Sequence, residues 1–320
     1  MVKYFKKAVG TDGKVIVSNS DENSVAFRYA DKSYVSPLIY DKAYISFLLK
    51  ICKQEHIDLL ISLFDIDLPI LAKNKDEFFS VGTKIIVSDE HIIEICNDKW
   101  KTYLFFKENG FNTPKTYLKL NDVLKAISKK EIKYPVIVKP RFGCGSIALS
   151  KASDEEELLF VSEYVQKKIN DSYLKYESET KDDIVVYQEM LKGQEYGADI
   201  INDLKGNFVN AIIKKKIAMR SGETDIADIA DCPEAYELMK NMAGMMRHVA
   251  NMDCDFFLIG NDVYFLELNA RFGGGYPFSH LGGCDLPLAI IKWANGETVD
   301  RRLLEANKIR GFKEIDIVEG

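Results

Sequence analysis

The chain has 320 residues, 47% hydrophobic and 29% charged, with a formal net charge of −6. This is a globular composition, long enough for roughly two or three domains, and its acidic balance argues against a nucleic-acid partner. No apolar run approaches membrane-spanning length, no signal peptide precedes the first helix-like stretch, and the six cysteines and four histidines lack zinc spacing. Together these features predict reduced thiols, a cytoplasmic location and no membrane partner.

Apolar residues at 2, 5, 8 and 9 predict a helix over Val2–Val9, ended by Gly10 and Gly13. Val15–Val17 and Tyr34–Ser36 read as short strands. A helix from about Asp41 to Glu55 carries Ile45, Leu48, Leu49 and Cys52 on one face. Asp58–Leu63 reads as a strand, Ile66–Phe79 as a helix and Lys84–Val87 as a strand. Such alternation implies a parallel sheet covered on both faces, in a unit that runs to about Asn97. A helix then begins near Lys99 and stops at Asn109-Gly110, a good C-cap pair.

Tyr134-Pro135 leads into a strand at Val136–Val138. Acids at Asp154–Glu157 favour the start of a helix that runs from Ser153 to about Ile169. The polar run Asn170–Asp183 reads as an exposed loop. Ile184–Gln188 and Tyr196–Ile201 are strands, Asn202–Asn207 is a turn, and Phe208–Lys215 pairs back. Glu234–Asn251 is helical, and Leu286–Ala294 is a helix closed by Asn295-Gly296.

The segment Asn251–Asn269 carries the most chemistry. Phe256–Ile259 and Val263–Leu268 form a hairpin around Gly260-Asn261-Asp262. With a three-residue loop, Asp255 lies opposite Glu267, and Asn269 projects from the same face. Two carboxylates and an amide oxygen of this kind suit Mg²⁺ carried in with nucleotide phosphates. Solvated acids on an outer hairpin face would give the same pattern, and a two-residue turn would spoil the pairing. The run continues through Arg271 into Gly273-Gly274-Gly275, where backbone can approach a ligand closely. An Arg beside acidic ligands makes sense if a phosphate lies between them.

Two further segments point to phosphate. Val136–Lys139 ends in a Lys and opens into a glycine loop, Gly143-Cys144-Gly145-Ser146, whose N–H groups can face phosphate oxygens. The loop lacks a Walker ending but matches G-x-G-x-x-A at Gly143, Gly145 and Ala148, which leaves a nicotinamide oxidoreductase as an alternative. That fingerprint needs a helix at the loop, whereas Ser146–Leu149 alternates as a strand. Lys214 and Lys216 share one strand face, and either is placed to reach a γ-phosphate, with Arg220 beyond them for a substrate carboxylate. A solvated edge strand would carry such lysines too.

The stretch LELNARFGGG resembles the metal-binding end of the ATP-grasp fold, and the other motifs follow in that family's order. Within the family the chain most resembles carbamoyl-phosphate-synthase-like proteins, with a single ATP-grasp unit. The resemblance implies an α/β chain: a Rossmann-like pre-ATP-grasp domain at 1–97, lacking its first strand, then an α+β ATP-grasp domain at 98–320 with a lid at about 115–188. It implies ATP and Mg²⁺ as cofactors, with Mn²⁺ as a substitute, and Asp255, Glu267 and Asn269 as metal ligands. Lys99, Lys139, Gly143, Gly145 and Ser146 would hold phosphates. Gln188, the backbone of Glu189 and Leu191, and Glu195 would hold the base and ribose. Arg271 and Arg220 would be catalytic.

The implied activity is ligation. ATP activates a carboxylate as an acyl phosphate, which an amine or similar nucleophile attacks. Small-molecule carboxylates and amines would be the partners, and a homodimer is compatible. ATP binding without turnover, or carboxyphosphate chemistry of the carbamoyl-phosphate-synthase type, are the alternatives.

Overall fold

The computed structural model describes residues 1–143, 148–178 and 183–318. The first domain contains α1 (Val2–Val9), β1 (Ile16–Asn19), β2 (Lys32–Val35), α2 (Tyr44–Glu55), β3 (Leu59–Leu60), α3 (Leu68–Lys73), α4 (Lys75–Ser80), β4 (Lys84–Ile85) and α5 (Glu90–Asn97). The parallel pairing is as expected, but it forms two separate pairs, β1 with β2 and β3 with β4. The single helix expected over Ile66–Phe79 is broken at Asn74, where φ is −105°. The Asn74 amide donates to the Ile70 carbonyl at 2.7 Å, so its side chain competes with the helical ladder. Helix α5 was not anticipated. It buries Ile92, Ile93 and Cys96.

After α6 (Lys99–Glu108), a smaller unit builds on a four-stranded sheet ordered β5-β8-β6-β7: β5 (Thr116–Tyr117), β6 (Val136–Pro140), β7 (Ser150–Ala152) and β8 (Val185–Glu189). Helices α7 (Leu120–Ser128) and α8 (Glu155–Asn170) cover it. Val123, Val136, Leu158, Val165 and Tyr187 form its own core. Asp154 caps α8 by accepting from the Glu157 N–H at 2.8 Å, and the Glu157 carboxylate accepts from the N–H of Ser153, just before the cap, at 2.6 Å.

Two expectations here need correction. Ala148 and Leu149 lie outside any strand, because pairing begins at Ser150. The run Asn170–Asp183 is not all loop, since Leu174–Ser178 forms a short helix, α9. Leu174 is buried there, and Tyr176 stacks on Tyr40 of the first domain at 4.3 Å between ring centroids. The polar composition hid three anchoring residues, Tyr173, Leu174 and Tyr176.

The main sheet has six antiparallel strands ordered β13-β12-β9-β10-β11-β14: β9 (Gln194–Asn202), β10 (Phe208–Arg220), β11 (Glu223–Ile229), β12 (Asn251–Ile259), β13 (Asp262–Asn269) and β14 (Arg310–Phe312). Helices α10 (Pro233–Met246), α11 (Tyr276–Leu281) and α12 (Leu286–Ala294) complete the chain. Strand β10 runs past the expected end at Lys215. Helix α10 stops at Met246 rather than Asn251, because Arg247 turns left-handed at φ 53° and closes it. One core joins this sheet to the first domain: Leu48, Leu71, Phe78 and Ile92 share it with Ile200, Met239, Phe256 and Phe265.

Candidate active site

The hairpin β12–β13 reaches the expected pairing by an unexpected route. Ile259 pairs with Asp262, which makes the turn a two-residue Gly260-Asn261. Alone, that turn would shift the register by one residue and turn the ligand face over. A register shift between Asp255 and Phe256 leaves Leu266 as an extra residue on β13 and restores Asp255 opposite Glu267. Asp253, on the same face as Asp255, pairs with Asn269.

Lysines face these acids. The Lys216 ammonium lies 2.7 Å from Asp255 and 2.7 Å from Glu195. Burial pulls Lys216 down, but Asp255 and Glu195 more than offset this and hold it charged, above its ordinary range. Lys99 lies 3.8 Å from Glu267. Burial pushes Glu267 up, yet Lys99, Lys139, Arg271 and Lys216 together leave it below the ordinary carboxylate range.

Among the described residues no three acidic, His or Cys side chains close into a dedicated metal cage. Two carboxylates plus substrate phosphates are how Mg²⁺ is commonly bound, and Asp255, Glu267 and the Asn269 amide fit that donor set.

Asp98 positions Lys99. Its carboxylate caps α6 by accepting from the Trp100 N–H at 3.0 Å and pairs with Arg141 at 2.8 and 2.7 Å. The Lys99 N–H donates to the Arg141 carbonyl at 3.0 Å, and the Lys99 ammonium donates to the Gly143 carbonyl. Gly143 takes φ 86°, a conformation that strains any side-chain-bearing residue, and a Cβ there would lie 2.3 Å from the end of the Leu174 side chain. Lys139, at the end of β6, is 5% exposed. Burial, with Lys99 adding to it against the pull of Glu267 and Asp255, lowers its pKa to about 8. Gly145 and Ser146 lie outside the described residues.

The linker between β8 and β9 carries Leu191. Gln188 is buried and donates to the Thr116 hydroxyl at 2.9 Å, while the Glu189 N–H donates to the Lys115 carbonyl at 2.8 Å. Gly193 packs on β12, where a Cβ would lie 2.7 Å from the Leu258 carbonyl.

Beside the hairpin lies a cavity of about 120 Å³, lined among others by Lys214, Lys216, Asp253, Asp255, Glu267 and Arg271. The sequence did not reveal Asp253 in its wall, or Asp65 and Asp199, which pair with its lining side chains from outside it. Arg271 donates to Asp65 of the first domain at 3.0 and 2.8 Å and to Asp253 at 3.3 Å. Burial, and then Asp255, push Asp253 well above the ordinary carboxylate range. Lys214 is buried against Asp199, which also accepts from Ser279 at 2.5 Å and Asn251 at 3.1 Å. Arg220 stands apart from this cluster: it is exposed and pairs with Asp225 at 2.9 and 3.0 Å. The i,i+2 pattern of Asp253 and Asp255 was visible in the sequence, whereas nothing local marked Asp65.

An ATP-grasp domain model matches residues 96–275, and a PylC-like N-terminal domain model matches 1–86. The chain belongs to the ATP-grasp family. The large chain of carbamoyl phosphate synthase from Campylobacter jejuni is 24% identical over 277 residues, which is 83% of this chain and 24% of that protein. This chain therefore spans about a quarter of that relative's length. Among solved structures, the biotin carboxylase domain of Hydrogenobacter thermophilus 2-oxoglutarate carboxylase, in complex with MgADP, ADP and bicarbonate, superposes with TM-score 0.73. It is 17% identical, with 93% of this chain and 67% of that chain covered. The L-amino acid ligase from Bacillus licheniformis gives TM-score 0.68 at 19% identity, with 92% and 72% covered. No helix of the described residues is long and apolar enough to cross a membrane.

Proposed function

We propose that this ATP-grasp protein is an ATP-dependent ligase that joins a carboxylate to an amine, acting in the cytoplasm with its buried cysteines as thiols. The observation that carries the reading is the hairpin itself. A bulge restores Asp255 opposite Glu267, and Lys99, Lys139 and Lys216 surround that pair. Free acids on a solvated hairpin would not gather three lysines, two of them from other sheets or helices.

In this reading Asp255, Glu267 and Asn269 hold Mg²⁺, which supplies charge neutralisation to the phosphates. Lys99 and Lys139 bind phosphate oxygens around the Gly143 loop. Gln188, Glu189 and Leu191 frame the base, and Glu195 accepts from the ribose hydroxyls. The γ-phosphoryl group leaves the β–γ bridging oxygen of ATP and bonds to a carboxylate oxygen, giving ADP and an acyl phosphate. An amine nitrogen then attacks the acyl carbon. The bond from that carbon to the phosphate oxygen breaks, inorganic phosphate departs and the nitrogen loses a proton. Arg271, fixed by Asp65 and Asp253, stabilises charge on the transferring group, and the Lys214 and Lys216 side chains line its path.

The experiment is ADP release with Mg²⁺ and a panel of carboxylates paired with amines. We expect at least one pair to stimulate release, and Glu267→Gln to abolish it while the protein stays folded and keeps part of its nucleotide affinity. Nucleotide binding without stimulation by any pair would favour a binding protein instead. Wild-type turnover by Glu267→Gln across a Mg²⁺ titration would refute the metal assignment.

A further inference from the structure

A second cleft, larger than the active-site cavity, lies at the seam between the first domain and the main sheet. Its volume is about 530 Å³. One wall comes from α4 and β4, through Phe79 and Lys84. The other comes from the β9–β10 turn and the end of α10, through Lys205, Met245 and Arg247. None of its lining residues lines the active-site cavity, so the ligase reading leaves the cleft without a role.

The floor is apolar, because Ile85, Val87, Ile92 and Met246 line the cleft and are buried. The Val249 N–H donates to the buried Ser88 hydroxyl at 2.9 Å, which ties the two walls together. Higher up, Phe79 is 76% exposed on one wall and Met245 55% exposed on the other. Two large apolar side chains left in water at one cleft mark a surface that a ligand can cover.

The charge on the walls favours an anion. Lys84, Lys205 and Arg247 line the cleft, and none of the three is ion-paired among the described residues. The Arg247 guanidinium donates to the Lys205 carbonyl at 3.1 Å, so these two residues stay together. Lys75 and Asp89, also on the walls, neutralise each other at 2.9 Å. Asp76 is the one remaining carboxylate of the lining. Three cations are thus set against one acid, in a chain whose net charge is −6.

We propose that this cleft binds a small organic anion with a flat apolar body, at a site separate from the ATP site. Its volume lies within the roughly 300–1,000 Å³ that small-molecule pockets take. The anionic group meets Lys84, Lys205 and Arg247. The apolar body covers Phe79 and Met245, whose flexible thioether adapts to a ring. A bare inorganic anion would leave those two side chains in water, and a neutral ring would leave the three cations unmet.

The test uses the whole protein with Mg²⁺ and a saturating non-hydrolysable ATP analogue, so that the nucleotide site is filled. Two fluorescent probes are titrated: anilinonaphthalene sulfonate and its uncharged parent, phenylnaphthylamine, which has the same rings without the sulfonate. The sulfonate is expected to bind at a single site, at least roughly fivefold more tightly than the parent. Lys84→Glu and Lys205→Glu should each weaken the sulfonate by at least roughly fivefold and leave the parent unchanged. Both lysines are exposed, so neither reversal disturbs the core. Lys151→Glu, on β7 of the smaller unit, should alter neither probe. Phe79→Ala should weaken both. A parent that binds as tightly as the sulfonate, or sulfonate binding undiminished in both lysine variants, would overturn the site. So would displacement of the sulfonate by the nucleotide analogue, or no binding at all, including where a second copy of the chain covers the cleft.

Discussion

Replacing Lys139 by Met tests whether the site stores electrostatic strain for its ligand. Lys139 is 5% exposed, and burial lowers its pKa from 10.5 to about 8. A shift of that size corresponds to about 3 kcal/mol of destabilisation in the charged form. Between pH 8 and 10.5 the unfolded chain holds a proton that the folded chain has released, so folding stability rises with pH across that window. Below pH 8 the full penalty stands. Met removes it but also removes a charge that helps hold Glu267 ionised, so the net gain should be smaller, about 1–2 kcal/mol.

Urea unfolding of both proteins without nucleotide, at intervals from pH 7 to 10.5, reads the difference directly. Other lysines and tyrosines that titrate there cancel between the two chains. The variant should be the more stable at pH 7, with the gap closing by about pH 10.5. Its ATP affinity should fall by roughly ten- to a hundredfold, because a charge-assisted phosphate contact is lost. A variant less stable than wild type at pH 7 would refute the reasoning and make Lys139 a structural counter-ion of Glu267.

Gly273→Ala places a Cβ 2.1 Å from the Asp253 carboxylate, which must then move and take its contacts with Arg271 and Asn269 along. The variant should fold with a loss of about 1–3 kcal/mol and lose at least roughly tenfold in turnover while still binding nucleotide, as read by denaturation and ADP-release assays. Tyr40→Ala removes the stacking on Tyr176 and the 3.0 Å hydrogen bond to Glu177 that tie α9 to the first domain. Amide exchange in α9 should quicken and the KM for ATP should rise, with the core of α8 unchanged; unaltered exchange at Leu174–Tyr176 would show that the tie contributes nothing.

The sequence by itself determined the order of the parts. Period-two and helical spacing marked most of the strands and helices, because a residue's neighbours in sequence decide which face it presents. Asp255, Glu267, Asn269, Lys139 and the glycines beside them were legible for the same reason, since each motif lies within a few residues on one element. Helix α9 was missed because its polar stretch becomes helical only where Leu174 is buried and Tyr176 stacks on Tyr40, both contacts distant in sequence.

The tertiary structure decided what lies between elements. The bulge at Leu266 sets the register that the turn alone would have spoiled, and its place depends on how β13 pairs with β12 rather than on the turn between them. Arg220 looked like a partner for substrate, yet it meets Asp225 five residues on across its own hairpin, outside the cavity. Asp65 meets Arg271 across 206 residues of chain. No propensity or spacing rule spans that distance, because the contact exists only once the first domain and the main sheet bury a common core.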